Sequence, residues 1–169
     1  MTAGASFQLA IVPSVYLTAV TEAAANECLQ SWGHKMGPLN RPFPSRAHGL
    51  VAGGRLVAVA TTGPLIRGHV AGLPHLNREN TVELSRLCAE RPGLCRVMIR
   101  LWREFVFPEL QGVSAAVSYQ DADLHKGHTY RFDGWRRAGM SRSGTDARSG
   151  RRGRRKWVWV WPPEAIRAV

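Results

Sequence analysis

Acidic residues are the scarce class in this 169-residue chain: 12 Asp and Glu stand against 23 Lys and Arg, a net charge of +11. Cysteine is sparser still. Cys28, Cys88 and Cys95 form an odd set without a CxxC pair, which argues against a disulfide framework and for buried thiols in a reducing cytoplasm. No apolar run reaches the roughly 18 residues that a membrane-spanning helix needs. The start of the chain also lacks a basic segment followed by a long apolar stretch, so no export signal is expected. No internal repeat is evident. What is present is enough apolar material, 44% of residues, to build the core of one soluble domain over 1–169.

The excess positive charge is concentrated. Between Arg131 and Lys156 ten basic residues face only Asp133 and Asp146, so +8 of the +11 lies in one short segment. No apolar face accompanies it, and a polyanionic partner is expected, nucleic acid ahead of membrane. A solvated basic loop is the plainer alternative.

In chain order, 7–12 reads as a strand closed by Pro13, and Thr18 or Thr21 can cap a helix to about Trp32 with Val20, Ala24, Cys28 and Leu29 inward. Gly33-His34-Lys35-Met36-Gly37-Pro38 ends that helix. Two apolar runs, 48–52 and 55–62, flank Gly53-Gly54 as a hairpin. Residues 63–80 read as a long loop. Thr81–Cys88 is a strand, and Arg91-Pro92-Gly93 breaks it. Residues 96–107 then carry apolar side chains at helical spacing, with Pro108 at the far end. Such a strand–turn–helix aims unpaired N–H groups outward, a phosphate-binding geometry as well as an ordinary packing unit. A strand over 113–119 follows, then a loop or short helix to Gly134. A final pair, 135–141 and the strictly alternating Trp157-Val158-Trp159-Val160-Trp161, forms a hairpin around a basic tip at about 142–156. The three tryptophans share one face and read as core rather than as base-stacking residues. The whole is a mixed α/β (α+β) chain, with one central sheet flanked by helices and a C-terminal β-hairpin.

This order resembles the GNAT acyltransferase fold. Three stretches resemble its branch of Mom DNA-modification proteins from phages: Gly33-His34-Lys35, Glu83-Leu84-Ser85-Arg86-Leu87, and Ser118-Tyr119-Gln120-Asp121 leading through Gly127-His128 and Tyr130 to Gly134-Trp135. The resemblance implies an acetyl-CoA or related acyl-CoA donor between two splayed strands, 81–88 and 113–119. Its diphosphate would rest on Leu94, Cys95 and Arg96, with Arg96 or Arg100 adding charge. The glycine-rich signature usual in acetyltransferases (Q/R-x-x-G-x-G/A) is missing, and only Gly93 remains of it. The reaction implied is modification of adenine N6 in DNA with an acetamido or carbamoylmethyl group, on a flipped base or a displaced strand. Asp121 would act as base or orient the amine, Tyr130 would protonate the leaving thiolate, and Ser118 would orient the acyl group. His34 and Arg86 would complete the pocket.

Each has a structural alternative: a turn cap for Asp121, core packing for Tyr130, a helix-terminal position for His34, an ion pair with Glu83 for Arg86 and a plain strand position for Ser118. His125 and His128 with Asp121 or Asp123 could ligate a metal, although their spacing within a loop is poor evidence for one, and no metal ligand is assigned. DNA contacts are assigned to Arg148, Arg151, Arg152, Arg154, Arg155 and Lys156. The compartment implied is the cytoplasm, a host's if the chain is phage-encoded. Trp157–Trp161, exposed as a sheet edge, would invite a homodimer. Two other readings compete: a conventional N-acetyltransferase for a small amine or a protein, and a non-catalytic nucleic-acid-binding relative.

Overall fold

The computed structural model describes residues 14–142 and 153–167. The strand expected over 7–12, and Arg148, Arg151 and Arg152 of the basic tip, lie outside them. The first described strand, β1 (Val15–Val20), follows Pro13 and includes Thr18. Thr21 is the residue that caps α1 (Glu22–Ser31): its side chain accepts from Ala24 N–H at 3.1 Å. Ala25 and Leu29 are the inward face of α1, with Cys28 partly buried beside them.

β2 (Arg46–Ala52) and β3 (Arg55–Pro64) form the expected hairpin, whose two-residue turn holds Gly53 at φ 57° and Gly54 at φ 75°. The segment expected as a loop carries a small ribbon, β4 (His69–Val70) and β5 (Leu73–Asn77). Strand β6 (Thr81–Ala89) leads into α2 (Leu94–Leu101). The helix does not stay regular to Pro108. It widens to a π-turn over Trp102–Val106 and tightens to a 3-10 turn over Phe107–Glu109. Within the π-turn Trp102 is fully buried, and its Nε1–H donates to Thr62 Oγ1 at 2.8 Å. Strand β7 (Ala115–Asp121), the short helix α3 (His128–Phe132), β8 (Arg136–Arg142), β9 (Arg155–Trp161) and a last 3-10 turn (Pro163–Ile166) complete the described chain.

Seven strands form one sheet in the order β1-β2-β3-β6-β7-β9-β8. Only β6 and β7 run parallel; the other neighbours are antiparallel. Strand alternation sends successive side chains to opposite faces. Val59 and Cys88 therefore pack with Leu29 of α1 on one face, and Ala58, Ala60 and Leu84 pack with Met98, Ile99 and Trp102 on the other. β9 divides in the same way. Trp157, Trp159 and Trp161 face the α2–α3 side, and Val158 and Val160 meet Leu65, Val70 and Leu76 beside the ribbon. The tryptophans are core, as their alternation implied. β9 is not an edge, however: it is paired on both sides, and the edge reason for a homodimer falls with that. Among the described residues no helix is long and apolar enough to cross a membrane.

Candidate active site

The parallel ladder between β6 and β7 is short. It pairs Thr81 with Ala115, Val82 with Ala116 and Glu83 with Val117, and there it stops. Past Glu83 the strands splay, leaving that side of Leu84–Ala89 without a ladder partner. The next position shows how the gap is held open. Ser118 Oγ donates to Leu84 O at 2.9 Å, a side-chain bond where a backbone bond would otherwise sit. Tyr130 Oη lies 2.8 Å from the same Ser118 oxygen. Because serine has one proton and Leu84 O can only accept, Tyr130 is the donor of that second bond.

On its other side β6 bulges. Leu84 pairs with Thr62 and Arg86 with Thr61, so Ser85 has no opposite residue in β3. Ser85 Oγ instead donates to Thr61 O at 3.2 Å and lies 3.0 Å from Thr61 Oγ1. The bulge puts Arg86 on the α1 face, beside the loop that follows α1.

The splay opens a cleft of about 850 Å³. All five expected catalytic residues line it: His34, Arg86, Ser118, Asp121 and Tyr130. Their surroundings differ from what the sequence implied. Tyr130 is stacked on Trp159 (5.5 Å between centroids, 12° between planes) and meets Trp135 edge-on. Burial, opposed by the Ser118 hydrogen bond, pushes its hydroxyl up to about 12, so it stays a neutral proton donor. Burial, reinforced by the charge of Arg86 and then His125, pulls His34 down to about 4. Its Nδ1 accepts from Met36 N–H at 3.3 Å, which leaves the neutral ring's proton on Nε2.

Asp121 is committed to its turn. Oδ1 accepts the N–H groups of Asp123 and Leu124 at 3.0 and 3.2 Å, and Oδ2 pairs with Arg154 at 3.4 Å. This is the capping alternative: Oδ1 is filled by the turn, and Oδ2 faces a guanidinium, which favours a carboxylate that stays charged. Arg86 does not pair with Glu83. That carboxylate is held by Arg41, from Nη1 and Nη2 at 2.9 and 3.1 Å, in a buried bidentate pair. Among the described residues Arg86 has only carbonyl partners, Ser85 O at 2.8 Å and Gly37 O at 3.4 Å.

At the expected diphosphate notch, Cys95 and Pro92 line the cleft, and Leu94, Arg96 and Arg100 do not. The N–H groups of Leu94 and Arg96 are already bonded to Arg91 O and Gly93 O at 3.1 and 3.3 Å, because the turn closes on itself. The Cys95 amide has no such acceptor. Space above the turn is clear: a Cβ placed on Gly93 would meet nothing within 4 Å. Arg96 lies over the Phe132 ring at 5.0 Å, and Arg100 turns to the buried Asp133 carboxylate at 2.5 Å, which Arg103 and Trp135 Nε1 also share. Cys95 is held up at about 11 by burial and stays a thiol.

Sequence reasoning missed Lys35, Gln120 and His125 as cleft residues. Lys35 adjoins His34 and Gln120 adjoins Asp121, and that adjacency was the available signal; His125 lies four residues past Asp121, across the turn that Asp121 caps. Of the basic tip, Arg154 and Lys156 line the cleft mouth, and Arg155 pairs with Asp123. No cluster of three or more His, Cys, Asp or Glu able to hold a metal occurs among the described residues.

No protein-family model matches the chain, and no curated protein matches it in sequence. Solved structures do match. The ribosomal-protein-S18-alanine N-acetyltransferase of Escherichia coli superposes with a TM-score of 0.57 at 14% identity, covering 87% of this chain and 92% of that one. Arabidopsis thaliana NAA60 in complex with acetyl-CoA gives a TM-score of 0.61 at 8% identity, over 88% and 98%. The dodecameric spermidine N-acetyltransferase of Vibrio cholerae gives 0.57 at 12%, over 89% and 94%. The fold is that of the GNAT acetyltransferases.

Proposed function

We propose that this protein is an N-acyltransferase that uses an acyl-CoA donor, with an amine as acceptor. The observation that carries this reading is the short β6–β7 ladder, which opens onto a cleft whose root is the chain Tyr130–Ser118–Leu84 O. When bound, the donor supplies a thioester carbonyl: the amine nitrogen bonds to its carbon, the carbon–sulfur bond breaks, and the proton lost by nitrogen ends on sulfur.

The chain's own groups fit that donor. The unpaired side of Leu84–Ala89 offers backbone donors and acceptors to an extended amide-containing arm. The Cys95 amide, at the open start of α2, suits the diphosphate. Tyr130 keeps its proton in a dry setting and at rest donates it to Ser118 Oγ; swinging that O–H from Ser118 to the substrate would let it neutralise developing negative charge. His34, uncharged, lines the cleft. The one carboxylate among the described lining residues, Asp121, is bonded to its turn and to Arg154, and the cationic lining disfavours an ammonium and so favours the neutral nucleophile.

Calorimetry with acetyl-CoA, followed by thiol release in the presence of amines, tests the reading. Binding and acceptor-dependent thiol release are expected. No acetyl-CoA binding by the folded protein would overturn it.

A second reading keeps DNA adenine as the acceptor, as the Mom resemblance implies. The observation that favours it is the position of Arg154 and Lys156 at the cleft mouth in a chain of charge +11. Arg154 and Arg155 are also paired with Asp121 and Asp123, so part of that charge is spoken for within the protein. A nucleoside digest of DNA from expressing cells decides it: a heavier adenosine supports DNA as acceptor, and unmodified nucleosides exclude it.

A further inference from the structure

Arg86 is the cleft residue whose electrostatics the fold leaves unsettled. It is half-buried, projected from the bulge at Ser85, and makes no ion pair among the described residues. Glu83, the carboxylate closest in sequence, has both oxygens taken by Arg41 from the loop after α1. Two guanidiniums thus share one acid. Burial lowers the Arg86 pKa, with Arg41 adding to the effect against Glu83, yet a guanidinium remains charged in protein. A half-buried cation with no counter-ion among the described residues, set in the lining of a cleft, is placed to take one from a bound molecule. The bonds to Ser85 O and Gly37 O use Nη1 and Nε, and Nη2 meets no hydrogen-bond partner among the described residues.

Position says which substrate would supply the counter-ion. Arg86 shares its face of the sheet with Thr61, Val59 and Cys88, the α1 face, and it bonds to Gly37 in the loop after α1. The start of α2, where the donor's diphosphate is placed, belongs to the opposite face. Arg86 therefore sits across the sheet from the donor's charged end. His34 lines the same cleft, near enough that the Arg86 charge acts on its ring. Lys35, Arg154 and Lys156 also line the cleft, against one carboxylate among the described lining residues, that of Asp121, which is already bonded.

We infer that the acceptor is a small amine that carries its own oxyanion, a carboxylate or a phosphate, and that Arg86 is the residue that binds it. This rests on the N-acyltransferase reading and narrows it: polycationic amines are the wrong acceptors for this cleft. An oxyanion on Arg86 completes the ion pair that the fold leaves open and holds the amine at a fixed distance from the anchor.

The test has two arms. In the first, inorganic phosphate is titrated at constant ionic strength while the His34 ring proton is followed by NMR. A saturable shift is expected in the wild type. It should be absent in Arg86→Gln and partly kept in Arg86→Lys. An unchanged titration in a folded Arg86→Gln variant, or no saturable shift in the wild type, overturns the anion site whether or not the protein is an acyltransferase.

In the second arm, matched acceptors are compared in the wild type with acetyl-CoA: glycine against glycinamide, phosphoethanolamine against ethanolamine, and spermidine. The anionic member of one pair should be preferred by about 10- to 100-fold in kcat/KM, and which pair shows it separates carboxylate from phosphate. Arg86→Gln should collapse that preference without changing acetyl-CoA affinity. Equal or better use of ethanolamine, glycinamide or spermidine would sink the inference and leave the acyltransferase reading standing. No acetyl-CoA binding and no turnover with any amine would sink that reading instead, and the phosphate titration would still decide the anion site.

Discussion

The hydroxyls of Tyr130 and Ser118, 2.8 Å apart and buried, form a bond whose polarity is set by a third group, because Leu84 O takes the only proton serine has. Two consequences follow for substitution. Tyr130→Phe removes one bond and leaves no donor without an acceptor, so it should cost about 1 kcal/mol of stability. Ser118→Ala deprives both Leu84 O and Tyr130 Oη of a partner and should cost more, about 2–3 kcal/mol. Urea unfolding of the two variants measures the order. If Tyr130 is the acid, Tyr130→Phe should also lower kcat by about 100-fold or more while acetyl-CoA affinity by calorimetry holds.

Gly127 shows how tightly the stacked pair is boxed in. It has φ 79°, and a Cβ there would come within 2.4 Å of Trp159 Cζ2. Trp159 has little room to yield, since Tyr130 stacks on it and Gln120 Oε1 accepts its Nε1–H at 2.8 Å. Gly127→Ala should therefore cost about 3 kcal/mol. Gly54 also has a positive φ, 75°, but meets nothing within 4 Å. Gly54→Ala should cost only about 1 kcal/mol. Equal midpoints in denaturant would refute the contact argument.

Asp121→Asn discriminates between a turn cap and a base. The amide oxygen can still accept from Asp123 and Leu124, so stability should barely change and turnover should stay within about tenfold. Loss of a hundredfold or more in a variant with unaltered melting would return Asp121 to the chemistry.

His34 links stability to pH. Its folded value of about 4 lies below its ordinary 6.5, so between those values the unfolded chain binds the proton and the folded chain does not. The stabilising contribution is complete above pH 6.5 and fades as pH falls towards 4. His34→Gln should flatten that acid limb by up to about one proton. Chemical denaturation at a series of pH values gives the slope, and identical slopes would show that His34 titrates normally.

Much of the architecture was legible from local signals. The Gly53-Gly54 hairpin, the strand at Thr81, the break at Pro92-Gly93 and the alternating tryptophans each follow from short-range chemistry: glycine's access to positive φ, two-residue side-chain alternation and proline's missing donor. The five residues expected to be catalytic also line one cleft. Their partners were not legible. Glu83 is paired with Arg41, which is 42 positions away, in preference to Arg86 on its own strand. Sequence distance carries no information about such a choice.

The sequence alone therefore determined the kind and order of most elements, the Val15–Val20 strand and the His69–Asn77 ribbon excepted, and the surplus of positive charge. Tertiary structure decided that the parallel ladder ends at Glu83, that β9 is enclosed rather than at the edge, and that Asp121 is bonded to its turn while Arg86 meets no acid among the described residues. The division has a physical cause. Backbone preference and side-chain periodicity act over a few residues, whereas ladder length and ion-pair choice depend on which distant groups meet once the sheet has closed.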